Sequence, residues 1–335
     1  MFGLNSALQR PGCLRCFLHA LAILALTAGD GAAQQYPVKP IRMIVPAAAG
    51  GGLDIAARNV AQSLGQRLGQ QVIIDNIPGA GFVIGTQTAV RATPDGYTLL
   101  YTSAAPITMA DNFEPKPAYD PRRDLVGVAA LIRNPGLIVV HPSVKAGTLA
   151  EFVALAKSQP DKLFYGSPGA GHSFHLATEM LAKQAGIKMT HIPFKGSAQA
   201  VVSLLAGDIH FLIQSPESVG KHIKSGKLRA LATLETHRLR DQPDVPTLDQ
   251  AGLTHLGVAF WHGIFVPSKT PPGVIAALER GLIAIAKSPE FSKRMDDMGF
   301  EPLDEGTRAF GARLASEFEL WPQVVKSLGI DRVKQ

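Results

Sequence analysis

Apolar residues along this chain switch repeatedly between two spacings. Ile41-Arg42-Met43-Ile44-Val45-Pro46 is a strand-length run rich in branched residues, and apolar positions at 53, 56, 57, 60, 61, 64 and 68 then follow one helical face. Gly69, able to take a left-handed cap conformation, predicts the end of that helix. Further strands are predicted at 71–75, 98–102, 137–140, 163–165, 189–193, 209–213, 228–234 and near 257–260. Helices are predicted at 82–92, from the capping box Thr148-Leu149-Ala150-Glu151, from Ser173 to Gln184, from Ser197 to Gly207, and from Thr270, Ser288 and Thr307. Pro322 is expected to kink the last of these.

Strands alternating with helices at such short intervals imply βαβ crossovers and a largely parallel sheet, the α/β class. Residues 104–124 turn irregular, with four prolines, which suits a crossing to a second domain. The helix-rich C-terminus needs a sheet to cover, and the first is the economical choice. The expectation is two lobes with a cleft between them: 34–124 and 254–335 in lobe 1, and 125–253 in lobe 2.

Residues 1–33 read as a leader. Arg10 and Arg15 form a positive start, Phe17 to Ala28 an apolar stretch, and Gly31-Ala32-Ala33 a small-residue cleavage site before Gln34. The mature product is thus expected to be exported, and no later run approaches the ~18 uninterrupted apolar residues of a membrane span. Both cysteines, Cys13 and Cys16, lie in the leader, which leaves a mature chain without disulfides and makes their C-x-x-C spacing incidental. The net charge of +6 is spread along the chain, which argues against nucleic acid and weakly favours acidic ligands.

The junction Ala47-Ala48-Ala49-Gly50-Gly51-Gly52 lies between a strand and a helix. It aims unpaired backbone N–H groups and the positive end of a helix dipole at whatever lies above, so anions bind there. No Lys or Ser/Thr follows as a nucleotide-binding P-loop requires. Ser173 and Ser197 open two more helices of the same kind.

Three constellations invite other chemistry. Gly171-His172-Ser173-Phe174-His175 nearly matches a nucleophile elbow but ends in His where that turn needs Gly; a secreted serine hydrolase is the alternative reading. His172, His175 and His191 could ligate a metal, which gives that alternative a metal-dependent form, though nothing in the spacing fixes the third partner. Gly79 to Gly85 follows a strand as dinucleotide fingerprints do, with one residue too many before its last glycine.

Tyr36-Pro37-x-Lys39-Pro40-Ile41-Arg42, Gly50-Gly51-x-x-Asp54-x-x-Ala57-Arg58, Pro78-Gly79-Ala80-Gly81 and Pro94-Asp95-Gly96-Tyr97-Thr98-Leu99 resemble the substrate-binding proteins of tripartite tricarboxylate transporters, the Bug family. The resemblance continues through Tyr165-Gly166-Ser167, His175-Leu176-Ala177-x-Glu179, Pro193-Phe194-Lys195-Gly196, Gly226-Lys227-Leu228-Arg229, Pro243-Asp244-Val245-Pro246-Thr247 and Trp261-x-Gly263. It implies a periplasmic binding protein, type II-like, of two parallel-rich sheets flanked by helices. Its lobes would close on a small carboxylate, with transporter membrane subunits or a sensor as partner. It implies no cofactor, no metal and no catalysis, and a monomer is expected.

The resemblance also carries over a ligand site: Ala47, Ala48, Ala49, Gly50 and Gly51 after the first strand, Asp54 in the helix start, Phe82, and Ser103 at the end of the third strand. From the second lobe come Ser167, Gly169, Ser173, Gly196, Ser197 and Gln214. Three departures stand out. Ala47-Ala48-Ala49 replaces a proline-rich loop, Gln214 stands where an Asp is common, and Phe82-Val83 replaces a smaller, more polar pair. Together they point to a more apolar pocket and an aromatic or aliphatic carboxylate.

Overall fold

The computed structural model describes residues 36–258, 260–329 and the backbone of 333–334. The expected leader, with Cys13, Cys16 and the cleavage site, lies outside the described residues. The chain divides into a short N-terminal unit, 1–38, and the body, 39–335. Everything below concerns the body.

Two mixed sheets form its frame. The first contains β1 (Ile41–Val45), β2 (Val72–Asn76), β3 (Thr98–Ser103), β4 (Leu125–Arg133), β10 (Trp261–Pro267) and β11 (Glu301–Gly306), in the order β11-β4-β10-β3-β1-β2. The second contains β5 (Leu137–Val140), β6 (Phe164–Ser167), β7 (Thr190–Pro193), β8 (Phe211–Gln214) and β9 (Arg229–Thr233), in the order β9-β5-β8-β6-β7. β1 runs parallel to β2 and β3, and β6 parallel to β7 and β8, as the βαβ alternation predicts. β4, β5, β9, β10 and β11 are antiparallel to their neighbours, so the sheets are mixed and not parallel throughout.

The helices are α1 (Gly52–Leu68), α2 (Val83–Val90), α3 (Leu149–Ser158), α4 (Ser173–Ala185), α5 (Ser197–Ala206), α6 (Pro216–Lys224), α7 (Pro272–Ala286), α8 (Pro289–Asp297) and α9 (Thr307–Ser327). Local chemistry explains their ends. Gly69 closes α1 at φ 68°, in the left-handed region where glycine is unstrained. Thr148 caps α3 by accepting the Glu151 N–H at 3.2 Å, while Glu151 reaches back to the Gly147 N–H and not to that of Thr148, a shifted capping box. α9 runs through Pro322 as one uninterrupted helix.

Sheet membership moves the expected crossings. Strand β4, 125–133, falls in the stretch assigned to lobe 2, yet it pairs with β10 and β11 in the first sheet. Its run Leu125-Val126-Gly127-Val128-Ala129-Ala130-Leu131-Ile132 lies between two neighbours and is mostly buried, so it shows no alternation to read. The chain therefore leaves the first sheet after Arg133. It re-enters at Trp261, beyond the strand expected near 257–260. The two crossings meet where Asn134 N–H donates to the Phe260 carbonyl at 2.9 Å.

One aromatic wedge fixes the centre of the first sheet. Phe310 of α9 packs 5.0 Å from Trp261 and 5.2 Å from Phe265, lying over Gly127 and Gly263 on adjacent strands. A methyl group at Gly263 would come within 2.6 Å of the Phe310 ring, so both glycines are required by close approach.

Candidate functional site

A cavity of about 890 Å³ opens between the two sheets. Its walls are the loops that follow β1, β2, β3, β6, β7 and β8, all at the carboxyl ends of strands, joined by Asn134 and Phe260 from the crossings and by Trp261 and His262 at the start of β10. Ligands of open α/β sheets bind at that end because each strand there hands over to a loop or helix start.

Five helix starts face this space. Gly51-Gly52 opens α1, Phe82 precedes α2, His172-Ser173 opens α4, Gly196-Ser197 opens α5, and Ser215 precedes α6; every one of these residues lines the cavity. At α1 and α5 the cap residue is glycine and no side chain takes the first-turn N–H groups. Each start contributes partial positive charge and backbone donors.

Formal charges are scarce. Among the described lining residues there is one acid, Glu217, one lysine, Lys195, and no arginine. Burial pushes His172 down to about 4, and burial together with nearby His172 pushes His262 down to about 3. Both rings are therefore neutral at pH 7. Apart from Lys195, the positive potential of this wall comes from backbone donors and not from side-chain cations.

The loop after β1 is stapled from behind. Asp54, buried, accepts from Gly50 N–H at 2.8 Å, Arg58 Nε at 2.9 Å and Asn76 Nδ2 at 2.9 Å, and Asn76 also holds the Ala47 carbonyl at 3.0 Å. Burial alone would raise the Asp54 pKa, but Arg58, the Gly50 N–H and Asn76 outweigh it and hold the carboxylate low. Asp54 and Gly50 thus lie behind the wall and not on it, as does Ser167. Ser167 Oγ meets His191 Nε2 at 2.7 Å and the Gly169 carbonyl at 2.9 Å, fixing the loop that precedes α4.

The other expected positions do line the cavity: Ala47, Ala48, Ala49, Gly51, Phe82, Ser103, Gly169, Ser173, Gly196, Ser197 and Gln214. Phe82 sits at φ 78°, a left-handed conformation costly for a bulky side chain, with its ring 5.7 Å edge-on to His172 from the opposite wall. Strain of this kind in a cavity wall is a mark of a functional loop.

The histidines expected as metal candidates do not converge. His175 and His191 stack face to face at 4.1 Å, His175 Nδ1 accepts the Gly171 N–H, and His172 Nδ1 accepts the Phe174 N–H to cap α4. With those nitrogens engaged by backbone, neither is placed as a general base for Ser173, and no group of metal-ligating side chains assembles among the described residues.

The sequence profile of the tripartite tricarboxylate transporter family receptor, TctC, matches residues 56–330. The chain belongs to that family. Protein BugT of Bordetella pertussis is 35% identical over 319 residues, covering 93% of this chain and 97% of BugT. Among solved structures, R. palustris Rpa4515 with adipate superposes with a TM-score of 0.84 at 27% identity, covering 90% of this chain and 100% of that one. MatC from Rhodopseudomonas palustris with bound malate superposes at 0.80 with 28% identity, covering 87% and 100%. The chain is therefore a solute-binding receptor of this family, and nothing in the geometry or the relatives supports a hydrolase.

Reasoning from sequence missed Asn134, Glu217, Phe260, Trp261 and His262, all of which line the cavity. His262 and Trp261 reach it because β10 pairs with β3 and sets His262 beside Ser103, a register that no local pattern announces. Glu217 carried one legible signal: Ser215-Pro216 marks a helix start directly after a strand.

Proposed function

We propose that this receptor captures a small carboxylate by closing its two lobes, hinged at 134–136 and 234–260, and delivers it to transporter subunits in the membrane. The observation that carries this reading is the convergence of five helix starts on a cavity whose wall offers no arginine and only neutral histidines. A carboxylate is the anion that such backbone donors hold well, directly or through water. Ligands of two structural relatives, adipate and malate, support the class. The walls supplied by Phe82, Phe174, Phe194, Phe260 and Trp261 favour a ligand with an apolar body. Donors split between the lobes favour the closed state, since a ligand shifts the equilibrium only through its differential contacts. The receptor works in the periplasm after removal of its leader, binds as a monomer, and catalyses nothing.

A thermal-shift screen of mono- and dicarboxylates tests the proposal. A ligand at about a hundredfold over its Kd adds about 2.7 kcal/mol of stability. Failure of every carboxylate to raise the melting temperature, with a neutral solute or an ester succeeding, would overturn it.

A further inference from the structure

Four lining residues hold buried, unpaired side-chain polar atoms among the described residues: Ser103 Oγ, Asn134 Oδ1, Gln214 Nε2 and Glu217 Oε2; the last two, an amide donor and a carboxyl acceptor, lie three positions apart in the chain. Gln214 is fully buried, and its Oε1 already accepts the Ser215 N–H at 3.0 Å and the Ser215 hydroxyl at 3.3 Å, so the amide nitrogen is what remains. Glu217 Oε1 accepts the Ser218 hydroxyl at 2.6 Å and leaves Oε2 over. Buried polar atoms left in this state are costly unless something partners them.

Glu217 also spans the two sheets. A methyl group built on Gly52 would lie 2.2 Å from Glu217 Oε1, so this carboxyl, carried by α6, packs directly against the first turn of α1. It stands in the first turn of α6 as well. Burial raises its pKa, and the Ser215 and Ser218 hydroxyls offset that only in part. A carboxyl of the protein thus already stands beside the start of α1, whereas α5, at Ser197, opens onto the cavity with no side-chain cap and is free to meet a carboxylate arriving with the ligand.

We propose that Glu217 and Gln214 form a subsite for a neutral group that donates and accepts at once, so that the ligand is a monocarboxylate carrying a primary amide or an equivalent group at its far end. The amide N–H donates to Glu217 Oε2 and its carbonyl accepts from Gln214 Nε2. A second carboxylate in that place has no N–H to donate to Oε2, and repels Glu217 whenever Glu217 is ionised. This inference rests on the carboxylate reading above and narrows it from carboxylates in general to monocarboxylates, disfavouring diacids.

Calorimetry with matched pairs tests it: each straight-chain diacid from succinate to suberate beside its own monoamide, which differs only at the far group. Wild-type protein should bind the monoamide of the best-fitting length about tenfold or more tightly than its diacid. Glu217→Gln, an isostere, should remove or reverse that preference while its melting curve stays cooperative. Diacids binding as tightly as their monoamides to the wild type, or an unchanged preference in Glu217→Gln, would overturn the subsite. The wild-type ranking stands alone if the variant does not fold. Other carboxylates binding while no monoamide does also overturns the subsite, whereas no carboxylate binding at all overturns the reading beneath it.

Discussion

Glu317 on α9 is a carboxyl with almost no water around it, and its replacement offers a quantitative check on the packing beneath the cavity. It is 8% exposed, accepts the Trp261 indole N–H at 2.8 Å and the Thr108 hydroxyl at 3.2 Å, and burial pushes its pKa from 4.5 to about 7 against those bonds and nearby Arg313. The folded protein therefore holds this proton more tightly than the unfolded chain does. The stability Glu317 contributes is full below about pH 4.5 and is lost as pH rises through about 7. A displacement of that size corresponds to about 3 kcal/mol between the two limits. Glu317→Gln keeps an acceptor for Trp261 and removes the proton equilibrium. Urea unfolding of both proteins at intervals from pH 4.5 to 8 isolates the term, because every other titrating group is common to the pair. The wild type should lose about 3 kcal/mol more than the variant across that range. Parallel stability curves would refute the reasoning.

Other expectations follow from single contacts. Gly263→Ala drives a methyl to 2.6 Å from the Phe310 ring and should cost about 1–3 kcal/mol, read as a lower melting temperature with retained binding. At Gly51, by contrast, an added Cβ meets only the Ala48 carbonyl at 3.6 Å. Gly51→Leu should therefore fold normally yet lose carboxylate binding, and Ser197→Ala should weaken binding by about 1 kcal/mol; calorimetry with unchanged affinity in both would move the site elsewhere. His262 has its folded pKa depressed from 6.5 to about 3, so the stability it supports is present above about 6.5 and is lost as pH falls toward 3. Acid unfolding of His262→Gln should be shallower than that of the wild type over this window, and equal slopes would contradict its buried neutral state.

The parts of this fold that were legible in sequence are those written locally. The strand β1, the glycine junction and α1 show two spacings and a cap within one stretch, and the helix starts at Ser173 and Ser197 are read from turn chemistry alone. β4 was not legible, since a strand with neighbours on both sides shows a continuous apolar run without alternation. The same missing strand displaced the crossing from Arg133 to residue 124. In the site, the glycines and serines of the wall could be named from the resemblance, but their division into wall and support could not. Asp54 and Ser167 are polar residues beside an anion-ready loop, and only the contacts to Gly50, Asn76 and His191 show that they hold that loop from behind. Glu217 escaped notice because its significance lies in Gly52, a residue remote in sequence that packs against it across the cavity.

The central claim is that backbone donors at helix starts hold a carboxylate in this cavity. Its most direct test is calorimetric titration of the mature protein with the best carboxylate from the screen and, separately, with that compound's methyl ester. The ester keeps the apolar body and removes only the charge and one acceptor. The account predicts one-to-one binding of the acid and loss of about two orders of magnitude or more in affinity for the ester, the scale of a charge-assisted bond left unmade. Equal affinity for acid and ester would contradict it, since the helix starts would then be serving the fold alone.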